Sequence, residues 1–200
     1  MPSDPTPRFL HDGAAGHRLQ AQALARALDP AAKELALATR APWSWFAPRR
    51  LPGAEAAFGE EFRRLLDAPP AWVVGCGRRP ALATRLLRAR GSRVVQLLHP
   101  RLDPSHWDLV VAPEHDGLRG PNVITLCGSL HAVDDAWLAD GRAAFPAFAS
   151  LPSPRTVVLL GGPTSAVRFD RGAFEVMAAK HEHWLATEGG SLIVLVSRST

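Results

Sequence analysis

One stretch, residues 71–126, restricts the fold of this 200-residue chain more than any other. It opens with a short apolar run at 72–74, passes through Gly75-Cys76-Gly77 and enters a helical pattern at Pro80. Proline suits the first turn of a helix, because its missing N–H would have no partner there. A second apolar run follows at 94–98. A strand–loop–helix–strand unit of this kind pairs its strands in parallel with a right-handed crossover, so the stretch predicts a parallel α/β sheet.

The glycine loop of this unit has two interpretations. Gly75-x-Gly77 resembles the start of a dinucleotide fingerprint, and it meets a helix N-terminus, where free N–H groups and the helix dipole favour an anion. However, Pro80 stands where the third glycine belongs, and the second strand ends in Leu98-His99 instead of an acidic residue that binds a ribose. These differences disfavour a nicotinamide or flavin cofactor. A turn that binds no ligand remains the alternative.

A second strand–glycine loop–helix unit lies near the N-terminus. A minimal strand at 9–10 is followed by the loop HDGAAGH and by a helical apolar pattern over 19–28. A histidine that opens a helix at the carboxyl end of a strand is well placed as a general base, and a neighbouring aspartate can set its tautomer. We therefore predict His17 as the base, assisted by His11 and Asp12. The alternative is a helix-capping loop with solvated histidines.

The remaining apolar runs extend the same pattern. Runs at 108–112 and 122–126 predict two further strands, and a polar loop between them contains Glu114, His115 and Asp116. Parallel sheets collect ligand-binding groups at the carboxyl ends of their strands, so the loops should open on one edge. The residues predicted to bind ligand or phosphate are Gly13, Gly16, Gly75, Gly77, Arg78, Arg79, Glu114, His115, Asp116, Gly161 and Gly162.

An aromatic loop at 40–52 also has two interpretations. It carries Trp43, Trp45 and Phe46 between prolines. Apolar loop residues usually pack on their own domain, which would make the loop a hydrophobic lid. The alternative is an exposed patch for a protein partner or a membrane surface.

Composition limits the remaining function classes. The chain has a net charge of +4, but its arginines are scattered and no basic block with interleaved aromatics occurs, so we predict no nucleic-acid partner. Cys76 and Cys127 are far apart and lack metal-ligand spacing, which favours a reducing, cytoplasmic compartment. The sequence has no apolar run of membrane-spanning length and no signal-peptide pattern.

The pattern restarts after a proline-rich linker at 150–154. A strand at 157–160, a helix at 174–185 and a strand at 192–196 follow. We predict a Rossmann-like domain over 1–149 and the beginning of a second over 155–200. Two strands and one helix cannot bury a core of their own, so we expect the chain to be the front part of a longer protein. Its exposed apolar edge would then favour self-association.

Several other near-matches to functional motifs are weak. His181 and His183 fall on different faces of a helix and do not indicate a zinc site. Ser165 and Ser197 lack the elbow sequence of an acyl-transfer nucleophile. The sequence contains no Asp-x-Asp, which fits chemistry without a metal ion.

A family resemblance extends over nearly the whole chain. The segments that carry it are HDGAAGHRLQ, GCGRRPA, HPRLDPSHWDLVVAPEHDGLRGPNVI, GSLH and VVLLGGP…RFD. Together they resemble the mitochondrial-fission family, whose plant member is known for elongated mitochondria. Its bacterial members are described as glycosyltransferases or nucleoside-diphosphate-sugar epimerases. The ordered run PRLDP, DLVV, PEHD and RGPNV makes this resemblance specific.

The resemblance implies a fold similar to GT-B glycosyltransferases, with two Rossmann-like domains facing a cleft. In such enzymes the nucleotide sugar binds mainly to the C-terminal domain and the acceptor to the N-terminal domain. It implies metal-independent transfer without a bound cofactor, with a nucleoside-diphosphate sugar as donor substrate, or else a non-catalytic interaction protein. The family continues past a segment like Ser197-Arg198. We therefore expect these 200 residues to bind nucleotide sugars weakly or not at all and to show no turnover.

Overall fold

The computed structural model describes residues 6–161 and 169–196. In chain order its helices and strands are β1 (Arg8–His11), α1 (Ala15–Leu28), β2 (Lys33–Ala36), α2 (Trp43–Phe46), α3 (Glu60–Asp67), β3 (Trp72–Cys76), α4 (Arg78–Arg88), β4 (Arg93–Leu97), β5 (Leu109–Pro113), β6 (Val123–Leu126), α5 (Asp135–Ala144), β7 (Arg155–Leu160), α6 (Arg171–Glu188) and β8 (Ser191–Val196).

Strands β1 to β6 form one sheet in the order β2-β1-β3-β4-β5-β6. Every neighbouring pair in this sheet is parallel. The central strand β3 is buried over most of its length, as expected for a parallel sheet covered by helices on both faces. The predicted fold class, an α/β protein with a Rossmann-like parallel sheet, is confirmed.

The strand order reverses between β1 and β3. From β1 the chain crosses to β2 on one side, whereas from β3 it crosses to β4 on the other side. Because parallel crossovers are right-handed, opposite directions of travel place their helices on opposite faces of the sheet. Accordingly, α1 packs through Ala21 and Ala25 in one apolar cluster, and the leucines of α4 belong to the cluster on the other face.

Thr84 and Trp107 join α4 to the loop before β5. Trp107 is fully buried, and its indole Nε1–H donates to Thr84 Oγ1 at 2.8 Å. The Thr84 hydroxyl lies 3.1 Å from the carbonyl oxygens of both Pro80 and Ala81, to which it donates. Each buried polar group in this set thus has a partner, and Thr84 is held in a single rotamer.

The chain divides into two compact units at residues 132 and 133. In the second unit, β7 and β8 pair in parallel with α6 between them in sequence. None of its described residues (133–161 and 169–196) is buried, which agrees with the expectation that two strands and one helix form no core. The division falls before α5, whereas the sequence placed the linker at 150–154; the predicted domain limits stay a prediction.

The observed helices differ from the sequence pattern in two places. The aromatic loop contains one helical turn, α2. The sequence has a helical apolar pattern over 133–148, but α5 ends at Ala144, and a 3-10 turn follows at Pro146–Ser150. Phe145 precedes a proline, and such residues avoid helical backbone angles, which ends α5 there. Three residues singled out in the sequence lie outside the described residues: Gly162, Ser165 and Ser197.

The packing of α4 on β3 yields a stability prediction for Gly75→Ala. A Cβ at this position would lie 2.6 Å from Thr84 Cγ2 and 3.3 Å from Gln96 Oε1. Since the hydrogen bonds of Thr84 prevent its rotation, we expect a loss of about 1–3 kcal/mol in the free energy of unfolding, measured by urea denaturation. Gly16→Ala is the control, because no atom lies within 4 Å of its Cβ position. Equal stabilities of the two variants would contradict this packing.

The burial of Cys76 yields a second prediction, for alkaline pH. Burial, with the nearby charge of Asp12, raises the pKa of the Cys76 thiol to about 12 from an ordinary value of 9.0. The neutral thiol stabilises the folded state below pH 9, and this stability is lost as the pH rises from about 9 to about 12. We expect the free energy of unfolding to fall there by at most about 1.4 kcal/mol per pH unit.

Variants at the two cysteines test the alkaline prediction. Cys76→Ala should remove the slope, while Cys127→Ala, at an exposed cysteine, should retain it. The sequence contains no tyrosine and only the lysines Lys33 and Lys180, so few other side chains titrate in this range. An unchanged slope in Cys76→Ala would show that another group is responsible.

Candidate functional site

The turn between β1 and α1 brings Asp12 and His17 together. Asp12 Oδ1 lies 2.8 Å from His17 Nδ1, and the same oxygen accepts a hydrogen bond from the Ala14 backbone N–H at 3.3 Å. A carboxylate can only accept, so it holds the ring in the tautomer with hydrogen on Nδ1. The His17 side chain is 30% exposed. Its Nε2 is therefore left as a proton acceptor on a ring of fixed orientation.

The His17 ring rests against Gly77, in the loop after β3. A Cβ at Gly77 would lie 2.6 Å from His17 Nδ1 and 3.3 Å from Asp12 Oδ2, so only glycine leaves room for this pair. Gly77 also has a φ of +97°, which favours glycine. The loops after β1 and β3 thus contact each other at the Asp12–His17 pair.

Gln96 holds the backbone of this second loop. Its buried side chain, on β4, donates from Nε2 to the carbonyl oxygens of Gly77 at 3.2 Å and Leu97 at 2.7 Å. Sequence reasoning missed Gln96, although a lone polar residue inside the apolar run RVVQLL was a usable signal. The residue positions Gly77 without itself facing solvent.

These loops lie where the strand order reverses. β1 and β3 are neighbours in the sheet, but the chain leaves them toward opposite sides. In open α/β sheets, ligands bind in the crevice outside the carboxyl ends of such strands, because the diverging crossovers leave it open. The Asp12–His17 pair lies at this position, which gives it a structural reason to be a site.

His11 makes different contacts from those of His17. It is buried, and both of its ring nitrogens are occupied: Nδ1 accepts from the Gly13 backbone N–H at 3.1 Å, and Nε2 donates to Glu34 Oε1 at 2.9 Å. That His11 assists His17 in catalysis stays a prediction. Its contacts are those of a residue that positions the Gly13 turn.

Glu34, on β2, is the acidic residue that holds His11 in place. Burial by itself raises the pKa of Glu34, but hydrogen bonds and charge from Arg18 and His11 outweigh it and bring the pKa below its ordinary value. Arg18 Nε lies 2.9 Å from the same carboxylate oxygen that His11 contacts. The ionised Glu34 therefore links α1, β1 and β2 beneath the turn that holds Asp12.

Features that favour an anion surround the pair. Helices α1 and α4 both begin at this edge, and no side chain caps the N-terminus of either helix. Uncapped N–H groups and the helix dipoles attract negative charge. Gly16 lies in the first turn of α1, and Arg78 and Arg79 open α4. The Arg78 guanidinium donates to the Ser44 carbonyl at 3.3 Å, which ties α2 to this edge.

The loop after β5, the third loop predicted to bind ligand, lies at the same carboxyl edge of the sheet as the loops after β1 and β3. Glu114, His115 and Asp116 form a 3-10 turn directly after β5. Since β4 separates β3 from β5, this turn lies about 10 Å from the β3 loop by ordinary strand spacing. The common edge is as predicted, and the binding role of these residues stays a prediction.

The predicted glycines do not all lie at this site. Gly75 is covered by Thr84, Gln96 and Pro80, so its evident role is close packing of helix on strand. Gly161 directly follows β7 in the second unit. Gly162 lies outside the described residues. Within residues 6–161 and 169–196, no group of three or more histidine, cysteine or acidic side chains is arranged to hold a metal ion.

Comparisons with known proteins place the chain in a family. The profile of the family described as "Mitochondrial fission ELM1" matches residues 15–200. The mitochondrial fission protein ELM1 of Arabidopsis thaliana is 30% identical over 153 residues, which cover 63% of this chain and 36% of that protein. The chain thus spans about a third of the length of this curated relative.

Among solved structures, the chain is similar to MurG of Acinetobacter baumannii. The TM-score is 0.49 at 14% sequence identity, over 98% of this chain and 67% of the MurG chain. The family profile extends over most of the sequence, from the start of α1 through the loop after β3 to the second unit. This chain belongs to the mitochondrial fission ELM1 family.

Proposed function

We propose that the first unit is the acceptor-binding part of a nucleotide-sugar glycosyltransferase, with His17 as its general base. The observation that carries this proposal is the 2.8 Å contact between Asp12 Oδ1 and His17 Nδ1, at the crevice where the strand order reverses. A neutral imidazole with one nitrogen fixed and the other accessible is the arrangement that deprotonates a hydroxyl group.

The reaction follows from this geometry. The acceptor hydroxyl transfers its proton to His17 Nε2 as its oxygen attacks the anomeric carbon of the donor sugar. A new C–O bond forms, and the bond from that carbon to the nucleoside diphosphate breaks, so the diphosphate leaves with the bonding electron pair. Asp12 accepts from Nδ1–H throughout and stabilises the imidazolium that results.

Charge on the departing diphosphate also needs stabilisation. In the proposed mechanism helix N-termini and Arg78 or Arg79 supply it, so no metal ion is required. The binding of phosphate by Gly161 and Gly162 stays a prediction. Donor sugar nucleotide and acceptor hydroxyl are the proposed partners, with no nucleic acid. A cytoplasmic location is proposed because both cysteines, Cys76 and Cys127, are free thiols.

A non-catalytic interaction protein is the second candidate. The observation that favours it is the exposure of Trp45 and Phe46 on α2, which presents two neighbouring aromatic side chains to solvent. This surface and the Asp12–His17 pair are not mutually exclusive. Loss of all transfer activity with retention of a binding function would favour this candidate.

The test of the proposed function is a transfer assay on the open reading frame that contains this sequence. Nucleoside diphosphate released from uridine-, guanosine- and adenosine-diphosphate sugars is measured with a mixture of hydroxyl acceptors. His17→Ala should lower the rate about 10²–10⁴-fold, since that is the usual contribution of a general base. Asp12→Asn should lower kcat with little change in donor KM, because it disturbs the tautomer and leaves donor contacts intact.

His183→Ala is the matched control, because His183 is an exposed histidine on α6. It should leave the rate unchanged. The proposal fails if no donor is turned over by the complete reading frame, or if His17→Ala retains full activity.

A further inference from the structure

The aromatic loop is braced against the first unit. Trp43 is half-buried, and its indole Nε1–H donates to the Pro52 carbonyl at 3.1 Å. The Arg40 backbone N–H donates to the Ala57 carbonyl at 2.9 Å. Trp43 therefore packs on its own domain, as the lid interpretation predicts. Its hydrogen bond fixes the helical turn that also contains Trp45 and Phe46.

The same loop runs along α4. Arg78 donates to the Ser44 carbonyl at 3.3 Å, and Arg85, two turns further along the helix, donates to the Pro48 carbonyl at 2.7 Å. Two contacts at this spacing hold the loop parallel to the helix surface. Any ligand that binds here would meet a preformed surface.

Trp45 and Phe46 project from this braced turn. Their exposed fractions are 72% and 47%. Single exposed apolar residues are common, but an adjacent tryptophan and phenylalanine on a fixed turn form a patch that calls for an explanation. The exposed-patch interpretation therefore applies to these residues, although Trp43 packs as a lid.

A cationic cavity lies beside the end of the loop. It has a volume of about 240 Å³ and is lined by Arg50, Arg85, Arg88, Ala89 and His106. Arg85 connects the cavity to the aromatic turn through its bond to Pro48. Planar guanidinium groups bind phosphate oxygens in pairs, so a cavity of this composition suits a phosphate group.

Positive side chains outnumber negative ones around this surface. Arg50 pairs with Glu55 at 2.7 Å and Arg88 with Asp108 at 3.1 Å. Arg85 bonds a neutral carbonyl, and the exposed Arg40 and Arg49 flank α2. Burial, and then the charge of Arg85, lowers the pKa of His106, as expected in a cationic pocket. Arginine is thus in excess over carboxylate around the aromatic pair.

We propose that α2 and the adjacent arginine cavity form a docking surface for an anionic lipid bilayer. Trp45 and Phe46 enter the interfacial region, where aromatic side chains are favoured, and the cavity binds the phosphate of a lipid headgroup. Flanking arginines add attraction to an anionic surface. Among the described residues, none of the helices has the length and apolar character of a membrane span. The proposal does not depend on the glycosyltransferase assignment.

The test is flotation of the full chain with vesicles. Vesicles of phosphatidylcholine with 30 mol% phosphatidylglycerol are compared with vesicles of phosphatidylcholine alone, at about 0.1 M salt. We expect the chain to float with the anionic vesicles and to remain in solution with the neutral ones.

The doubly substituted Trp45→Ser, Phe46→Ser chain should bind to the anionic vesicles at least about tenfold more weakly. Arg49→Glu and Arg50→Gln should each weaken binding about fivefold.

Three matched variants control for nonspecific adhesion. The pair Trp137→Ser with Phe145→Ser removes equally exposed aromatics in the second unit, and Arg26→Glu reverses a charge on α1, which packs on the opposite face of the sheet. Neither should change the binding. Trp45→Phe should retain it, because an aromatic side chain remains. Circular dichroism confirms that each variant is folded.

Four results would overturn the proposal. The first is a failure of anionic vesicles to capture the chain, and the second is equal binding to neutral vesicles. The third is a loss of binding in the control variants as large as that of the Trp45 and Phe46 variant. Finally, release from the vesicles by millimolar inorganic phosphate at constant ionic strength would assign the cavity to free phosphate instead of lipid.

Discussion

The contact between the His17 ring and Gly77 joins the two halves of the first sheet's carboxyl edge. Strands β1 and β3 are hydrogen-bonded neighbours, and the loops that leave them must diverge toward opposite faces. A side chain at residue 77 would separate the loops, whereas glycine lets an imidazole and a carboxylate occupy that space. Helix α1 and helix α4 therefore begin side by side, and their N-termini combine in one crevice.

The two histidines of the N-terminal loop differ in the hydrogen bonds that their ring nitrogens make. His17 contacts Asp12 through one ring nitrogen, whereas His11 uses both of its nitrogens within the protein. Glu34 makes this possible, because its ionised carboxylate holds His11 and Arg18 together beneath the turn. The Asp12–His17 pair thus lies beside a set of hydrogen bonds that belongs to the fold. Polar support of this kind fixes the geometry of a site more firmly than packing alone.

Most of the first unit could be predicted from sequence because its strands are short apolar runs separated by glycine and proline. Periodicity identified the β3–α4–β4 unit and the shared edge of the loops. It did not reveal the separate roles of His11 and His17, because that difference depends on Glu34, which is contributed by another strand. Nor did it reveal Gln96 or the arginine cavity. These features arise from tertiary contacts between residues distant in sequence, and local pattern carries no signal for them.

The residue at the position of Gly77 indicates whether a relative of this chain can form the Asp12–His17 pair. A relative that retains glycine there, with an aspartate and a histidine five residues apart after the first strand, can form the same pair. A relative with any larger residue at that position must move the ring or lose it, because the contact leaves no space for a Cβ. Such a relative would keep the sheet and its helices, since their packing depends on other residues. A single position thus separates sequences that can retain the chemistry from those that have kept only the scaffold.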